Sequence, residues 1–400
     1  MKPTLTYCTN VHPGETIAEV EASLERWTVP LKRELAPQPF AADRPFPVGL
    51  YLSAASAREL SRRDRLERFR EFLSQRRLEV ATLNCFPYGG FHAESVKLEV
   101  YRPDWCDPRR VDFTVAAARA LAELAPPGAV APISTLGGSC KRFGDGGEVR
   151  PAVAENLARV AVELDRLRAE SGREIVLSLE PEPFSTIETS DETVRFFVDH
   201  LFAAGGRAAF AAGGGDPRRA EECLRRHVGI CFDACHQAVE FEEPAEAVER
   251  VGAAGIRIGK VQLSSALALS RPSDPAQIEA LARYAEPRYL HQAFARGRDG
   301  AISRWLDLPD LLAQPPGLRS TFEEIRVHFH VPIDRTELSP LTTTRPFLTE
   351  VVAAVQRGAT VPVLEVETYT FPVLPDAPGP DGGLVAALAR EIRFAAGLTA

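Results

Sequence analysis

The 400-residue chain holds one methionine, so it lacks the Met-lined, re-packable groove that promiscuous peptide binders use. It contains no run of 18 apolar residues, and the opening Met1-Lys2-Pro3-Thr4-Leu5 is too polar for a secretory signal. The expectation is a cytoplasmic protein with no direct membrane insertion. Its seven cysteines (Cys8, Cys85, Cys106, Cys140, Cys223, Cys231 and Cys235) are odd in number, scattered and without a C-x-x-C pair, which excludes a disulfide framework and a structural zinc site. Only Lys2, Lys32, Lys97, Lys141 and Lys260 among 47 basic residues are lysines; with abundant Ala, Arg, Pro and Gly this reads as the codon bias of a GC-rich bacterial genome. Excess positive charge is missing as well. The 55 acidic residues give a net charge of -8, so nothing invites nucleic acid. Eight histidines are also too few for the three-metal cluster of a phosphodiester-cleaving enzyme.

What is present is a hydrophobic content of 45% and a charged content of 26%, an ordinary globular balance with material for a large core. Short apolar strand patterns fall at 3–9, 47–53, 79–86, 129–136, 174–180, 228–233, 257–263, 325–331 and 361–367. Amphipathic helix patterns lie between them, among them 57–76, 150–170, 345–357 and a last one at 381–396. Near-continuous apolar strands alternating with helices predict a parallel sheet covered by helices. No Gly-x-Gly-x-x-Gly follows the first strand and no Walker-type loop occurs, which favours a closed (β/α)8 TIM barrel over a nucleotide-binding open sheet. Nine strand patterns are one too many. The expectation is one domain, 1–400, with an insertion at about 264–320 that includes a hairpin-like stretch at 288–306. Further loop insertions are expected at 87–107, 137–149 and the Gly-rich 204–216.

In such a barrel the strand C-termini converge on one mouth. There the sequence places Leu179-Glu180-Pro181-Glu182, Phe232-Asp233-Ala234-Cys235-His236, Val327-His328-Phe329-His330 and Leu364-Glu365-Val366-Glu367. Within the pairs 180/182, 328/330 and 365/367 the period of two puts both side chains on one face. Ionised carboxylates aimed inward are costly unless paired, so this gathering calls for a divalent cation. Carboxylates with an imidazole suit Mn, Mg, Co or Zn, with coordination positions left for substrate oxygens.

These residues resemble the xylose-isomerase-like TIM barrels, which include sugar isomerases and epimerases. The resemblance implies that Glu180, Asp233 (followed by x-x-His236), a histidine and a final glutamate hold the metal, and that the two glutamates act as the acid/base pair. Two positions stay open. The histidine is either His330, in a strand that arrives late, or is replaced by Gln262 in Lys260-Val261-Gln262-Leu263-Ser264, with His328 lining the mouth. The last glutamate is Glu365 or Glu367. Proton transfer is assigned to Glu180 and Glu367, with His236 beside the substrate.

The stretches Tyr7-Cys8-Thr9-Asn10-Val11-His12-Pro13-Gly14-Glu15, Leu83 to His92, Val261 to Leu267 and Leu364 to Phe371 further resemble the EboE-type metabolite traffic proteins. That resemblance implies a bacterial role in making or exporting a secondary metabolite, with membrane-protein partners from the same gene cluster. It adds Asn10, His12, Asn84 and His92 to the mouth as substrate contacts. The expected ligand is a small polyhydroxylated or carbonyl metabolite.

Overall fold

The computed structural model describes residues 3–40, 44–358, 361–379 and 382–399. Its strands in chain order are β1 (Leu5–Tyr7), β2 (Phe46–Tyr51), β3 (Leu78–Asn84), β4 (Val130–Leu136), β5 (Glu174–Glu180), β6 (Val228–Asp233) and β7 (Ile258–Leu263). Then come β8 (Leu267–Leu269), β9 (Ala293–Gly297), β10 (Ile302–Trp305), β11 (Phe322–Val327), β12 (Glu337–Leu338), β13 (Leu341–Thr343) and β14 (Val363–Val366).

Eight of them, in the order β1-β14-β7-β6-β5-β4-β3-β2, form one all-parallel sheet. The sheet bends round until its two edges meet: Cys8 bridges Gly49 in parallel. Side chains complete this seam, with Thr6 Oγ1 donating to the Pro47 carbonyl (2.9 Å) and the Tyr51 amide donating to Thr9 Oγ1 (2.8 Å). The architecture is the expected (β/α)8 barrel. Helices cover its outside, and this burial of both sheet faces is why the strands read as apolar runs. The expected 57–76 helix is two, Ala54–Leu60 and Arg63–Gln75. Residue 381, where the sequence pattern starts the last helix, lies outside the described residues; Gly382–Leu398 is helical.

The ninth strand pattern belongs to a second sheet. Strands β10-β9-β11-β8-β13-β12 are all antiparallel neighbours, with their own core of Leu267, Leu281, Leu308, Ile325 and Val327 among others. This sheet leaves the barrel directly after β7 and returns at Thr344, ahead of helix Arg345–Gln356. It therefore runs past the expected boundary near 320, because β11 pairs with β8 and β9 instead of entering the barrel. The 288–306 stretch forms its β9–β10 hairpin. Two backbone bonds pin its base to the barrel: Val331 N to Ser265 O (2.9 Å) and Thr344 N to Ala266 O (3.0 Å). The expected Gly-rich loop at 204–216 is instead mostly helix, Ala204–Ala212. Gly206 serves close packing there, since a Cβ on it would lie 2.0 Å from the Leu201 carbonyl.

The last helix is tied to both parts by Glu391, whose Oε1 accepts from Ile333 N (3.0 Å) and Thr368 Oγ1 (2.7 Å). Full burial pushes this carboxyl up to about 8, against those two bonds. An acid raised in the fold keeps its proton where the unfolded chain has released it. Folding stability must then fall as pH rises from the ordinary glutamate range to about 8. Urea unfolding at pH 5 and pH 9 is expected to show Glu391→Gln removing a penalty on the order of 5 kcal/mol from the alkaline side; an unchanged pH slope contradicts the assignment.

Candidate functional site

The ends of β5, β6 and β14 bring Glu180, Asp233 and Glu367 together, with one carboxylate oxygen of each within 4.8 Å of the others. All three are buried. Asp233 sits at the N-terminus of the short helix Ala234–Val239, where its Oδ1 accepts from His236 N (2.9 Å) and from Ser264 Oγ (2.8 Å). That half of the carboxylate is a helix cap. The other half, Oδ2, is buried without a hydrogen-bond partner and lies 3.8 Å from His330 Nε2 and 3.9 Å from His236 Nε2.

Glu367 is held by two amides, with Asn10 Nδ2 and Asn84 Nδ2 donating to its Oε1 at 2.8 and 2.9 Å. Burial drives the Glu367 carboxyl well above its ordinary range, and Asp233 and Glu365 push the same way. Glu180 is driven well up by burial, then by Glu367 and Asp233. His330 Nδ1 donates to the Glu367 carbonyl (2.8 Å), which leaves its Nε2 unprotonated, buried and unpartnered. His236 is lowered to about 4 and His328 well below its usual value, both chiefly by burial.

Over these groups lies a small cavity of about 60 Å³, lined by Glu180, Glu182, His236, His328, His330 and Glu367 and reached by Asn10 and Asn84. Its walls are apolar, and Phe91, Tyr289 and Tyr369 meet edge-on or tilted at 4.9–5.3 Å between ring centroids. Lys97 closes the rim, its Nζ donating to Asp307 Oδ2 and to the Tyr289 carbonyl, both at 2.7 Å.

Four expected residues sit elsewhere. His12 stacks on Trp27 at 4.6 Å, and its Nε2 is 3.2 Å from the Tyr7 hydroxyl, which turns it into the wall of the first loop. His92 packs against the edge of Phe91, and Phe91 takes the cavity position in its place. Gln262, level with Asp233 and Glu365 in the register, is fully buried with neither side-chain atom partnered. Glu365, on β14 two residues before Glu367, is ion-paired to Lys260 at 2.5 Å. Burial alone would lower this lysine, but Glu365 raises it above its normal value.

Gly49 makes room for that pair, because a Cβ on it would lie 1.6 Å from Glu365 Oε1. Sequence reasoning passed over Lys260, although a lysine inside an apolar strand is itself a signal. It also passed over Gln292 and Ser264, for which no local signal exists.

Three converging carboxylates, their neighbouring unprotonated imidazole and the orphaned Asp233 Oδ2, Glu180 Oε2 and His330 Nε2 fit a divalent cation. Each would otherwise be a buried polar atom without a partner.

No family model matches the chain, and no curated protein matches it. Solved structures of similar shape include the probable 3-DHS dehydratase AsbF of Bacillus anthracis, involved in petrobactin synthesis (11% identity, 98% of each chain, TM-score 0.48). Another is a xylose isomerase-like TIM barrel protein from Mycobacterium smegmatis in complex with magnesium (15% identity, 100% of this chain and 98% of that one, TM-score 0.49). A third is an L-ribulose 3-epimerase (12% identity, 100% and 94%, TM-score 0.48). At such identities the likeness concerns the fold.

Removing one member of a buried ion pair leaves an uncompensated charge. Lys260→Met should therefore cost about 3–5 kcal/mol in denaturant unfolding, while Lys260→Met with Glu365→Leu should recover most of it. Equal losses in the single and double variants would show that the pair is not coupled.

Proposed function

We propose that the chain, read as one unit of barrel and inserted sheet, is a metal-dependent isomerase or epimerase of a small polyhydroxylated or carbonyl metabolite. The observation that carries this reading is the meeting of the buried Glu180, Asp233 and Glu367 carboxylates, two of which, Glu180 and Glu367, line the cavity. Glu180, Asp233, Glu367 and His330 are the assigned ligands; Glu365 is committed to Lys260. A divalent ion bound there supplies Lewis acidity to the carbonyl and hydroxyl oxygens of a substrate.

The remaining chemistry belongs to the side chains. Asn10 and Asn84 donate to Glu367 and work against the burial that raises it; with a cation bound beside it to favour the anion, Glu367 is the group assigned to take the proton beside the carbonyl. Glu180, without such donors and with its Oε2 unpartnered, returns a proton to the substrate. The net result is an isomer with no change in composition.

The test is wash-in of solvent deuterium. A panel of ketoses incubated in heavy water with the Mn-, Mg-, Co- or Zn-loaded protein should include one that gains deuterium next to its carbonyl by NMR. Glu367→Gln and Glu180→Gln should each slow that exchange by about 10²-fold or more. Ketose binding without exchange in every metal form overturns the reading.

A second reading follows the EboE-type resemblance: a barrel that binds a secondary metabolite and hands it to membrane-protein partners. The apolar cavity wall of Phe86, Phe91, Val96, Val100 and Leu290 favours it, since a polyol alone does not call for such a surface. A ligand that co-purifies and is released unconverted supports this reading. Among the described residues, no helix is long and apolar enough to cross a membrane.

A further inference from the structure

Two imidazoles face each other at the mouth with their other nitrogens already committed. His236 Nδ1 lies 3.0 Å from the Pro181 carbonyl, which only accepts, so Nδ1 carries a hydrogen. His328 Nδ1 lies 2.6 Å from Gln292 Oε1. The other end of that amide sets its orientation. Gln292 Nε2 is 3.1 Å from the Pro183 carbonyl, 3.2 Å from Glu182 Oε1 and 3.1 Å from the Tyr101 hydroxyl. The first two of these are acceptors, so Nε2 is the donor and Oε1 faces His328.

His328 Nδ1 therefore also carries a hydrogen. In their neutral forms both rings turn an unprotonated Nε2 toward the other, and these atoms are 3.1 Å apart. Two facing lone pairs repel and call for a positive partner. A third donor is close by: Glu182 Oε2 is buried without a partner, Glu182 Oε1 lies 3.6 Å from His328 Nδ1, and one ligand atom from each of Glu182, His236 and His328 lies within 4.8 Å of the other two.

We propose that His236, His328 and Glu182 form a second divalent-cation site, next to the group Glu180, Asp233 and Glu367 and sharing no ligand with it. Imidazole nitrogens bound at about 2.0–2.1 Å and 90° to 109° apart stand roughly 2.8–3.4 Å from each other, a range that contains the observed separation. The donor sets differ in kind. Two imidazoles and one carboxylate suit zinc, cobalt or ferrous iron, whereas three carboxylates also suit magnesium or manganese. Three protein ligands leave open positions toward the cavity, as in catalytic rather than structural zinc sites.

The site straddles the two sheets. Glu182 and His236 follow barrel strands β5 and β6, while His328 comes from the inserted sheet, with Gln292 as the positioning residue that fixes its tautomer. The second site stands whether or not a ketose is turned over, so cation counting and deuterium exchange fail independently.

The test uses the full chain, stripped with chelator and re-equilibrated with zinc, with metal per chain measured by plasma mass spectrometry and calorimetry. Wild type should hold two equivalents. His328→Gln and Glu182→Gln should each hold one, with near-ultraviolet circular dichroism unchanged, and His328→Gln should lose part of the visible absorption of the cobalt form. Anomalous scattering at the zinc edge from wild-type crystals gives a readout that needs no variant, with a peak expected between His236 Nε2 and His328 Nε2. The same zinc content in wild type and His328→Gln, no anomalous peak between the two rings, or a proton shared between them in nitrogen-15 NMR at saturating zinc would each overturn the proposal.

Discussion

Charge balance inside the closed end of the barrel is the constraint on which the rest of this structure depends. Glu180, Asp233, Glu365 and Glu367 are all buried there, and the one lysine among them, Lys260, is held by Glu365. Buried carboxylates must be paired, protonated or bound to a cation. Glu365 is balanced by its pair with Lys260, whose charge also reaches Glu180 and Glu367. Among the described residues no lysine or arginine pairs directly with Glu180, Asp233 or Glu367, and Glu180 and Glu367 line the cavity. A core designed only for stability would have no reason to leave three acids together with so little countercharge, which is why they read as chemistry and the Glu365–Lys260 pair as support.

The inserted sheet turns this barrel end into a chamber. It leaves after β7 and is pinned at its base by Ser265 and Ala266. That attachment carries His328 and His330 from the end of β11 back over the strand ends of the barrel. The insertion is thus not a surface ornament: it supplies two imidazoles, the Gln292 amide that orients one of them, and Tyr289 of the roof. Because the cavity is lined from both sheets, its shape depends on how firmly the two sheets are joined, a task shared by the Glu391 contacts with Ile333 and Thr368.

The barrel itself was legible because its signal is local. Eight apolar runs bounded by polar residues and spaced by helical periods correspond to the eight barrel strands, and Glu180, Asp233 and Glu367 stand at or just past the ends of three of them. The ninth run, 325–331, was a strand pattern too, but periodicity does not say which sheet a strand joins. His12 and His92 show the same limit at the scale of one side chain. Each follows a strand end, yet Trp27 stacking and the Phe91 edge direct them away from the cavity.

The sequence by itself therefore determined the alternating architecture and the acids that face inward, because both follow from spacing along one strand. Only the tertiary structure decided that Lys260 claims Glu365 and leaves Glu367 to the mouth. It alone decided that Gln292, 36 residues before His328, sets that ring's tautomer. Those outcomes depend on distances between atoms of different strands, and a distance across a barrel is set by how all eight strands close together, which no single stretch of chain encodes.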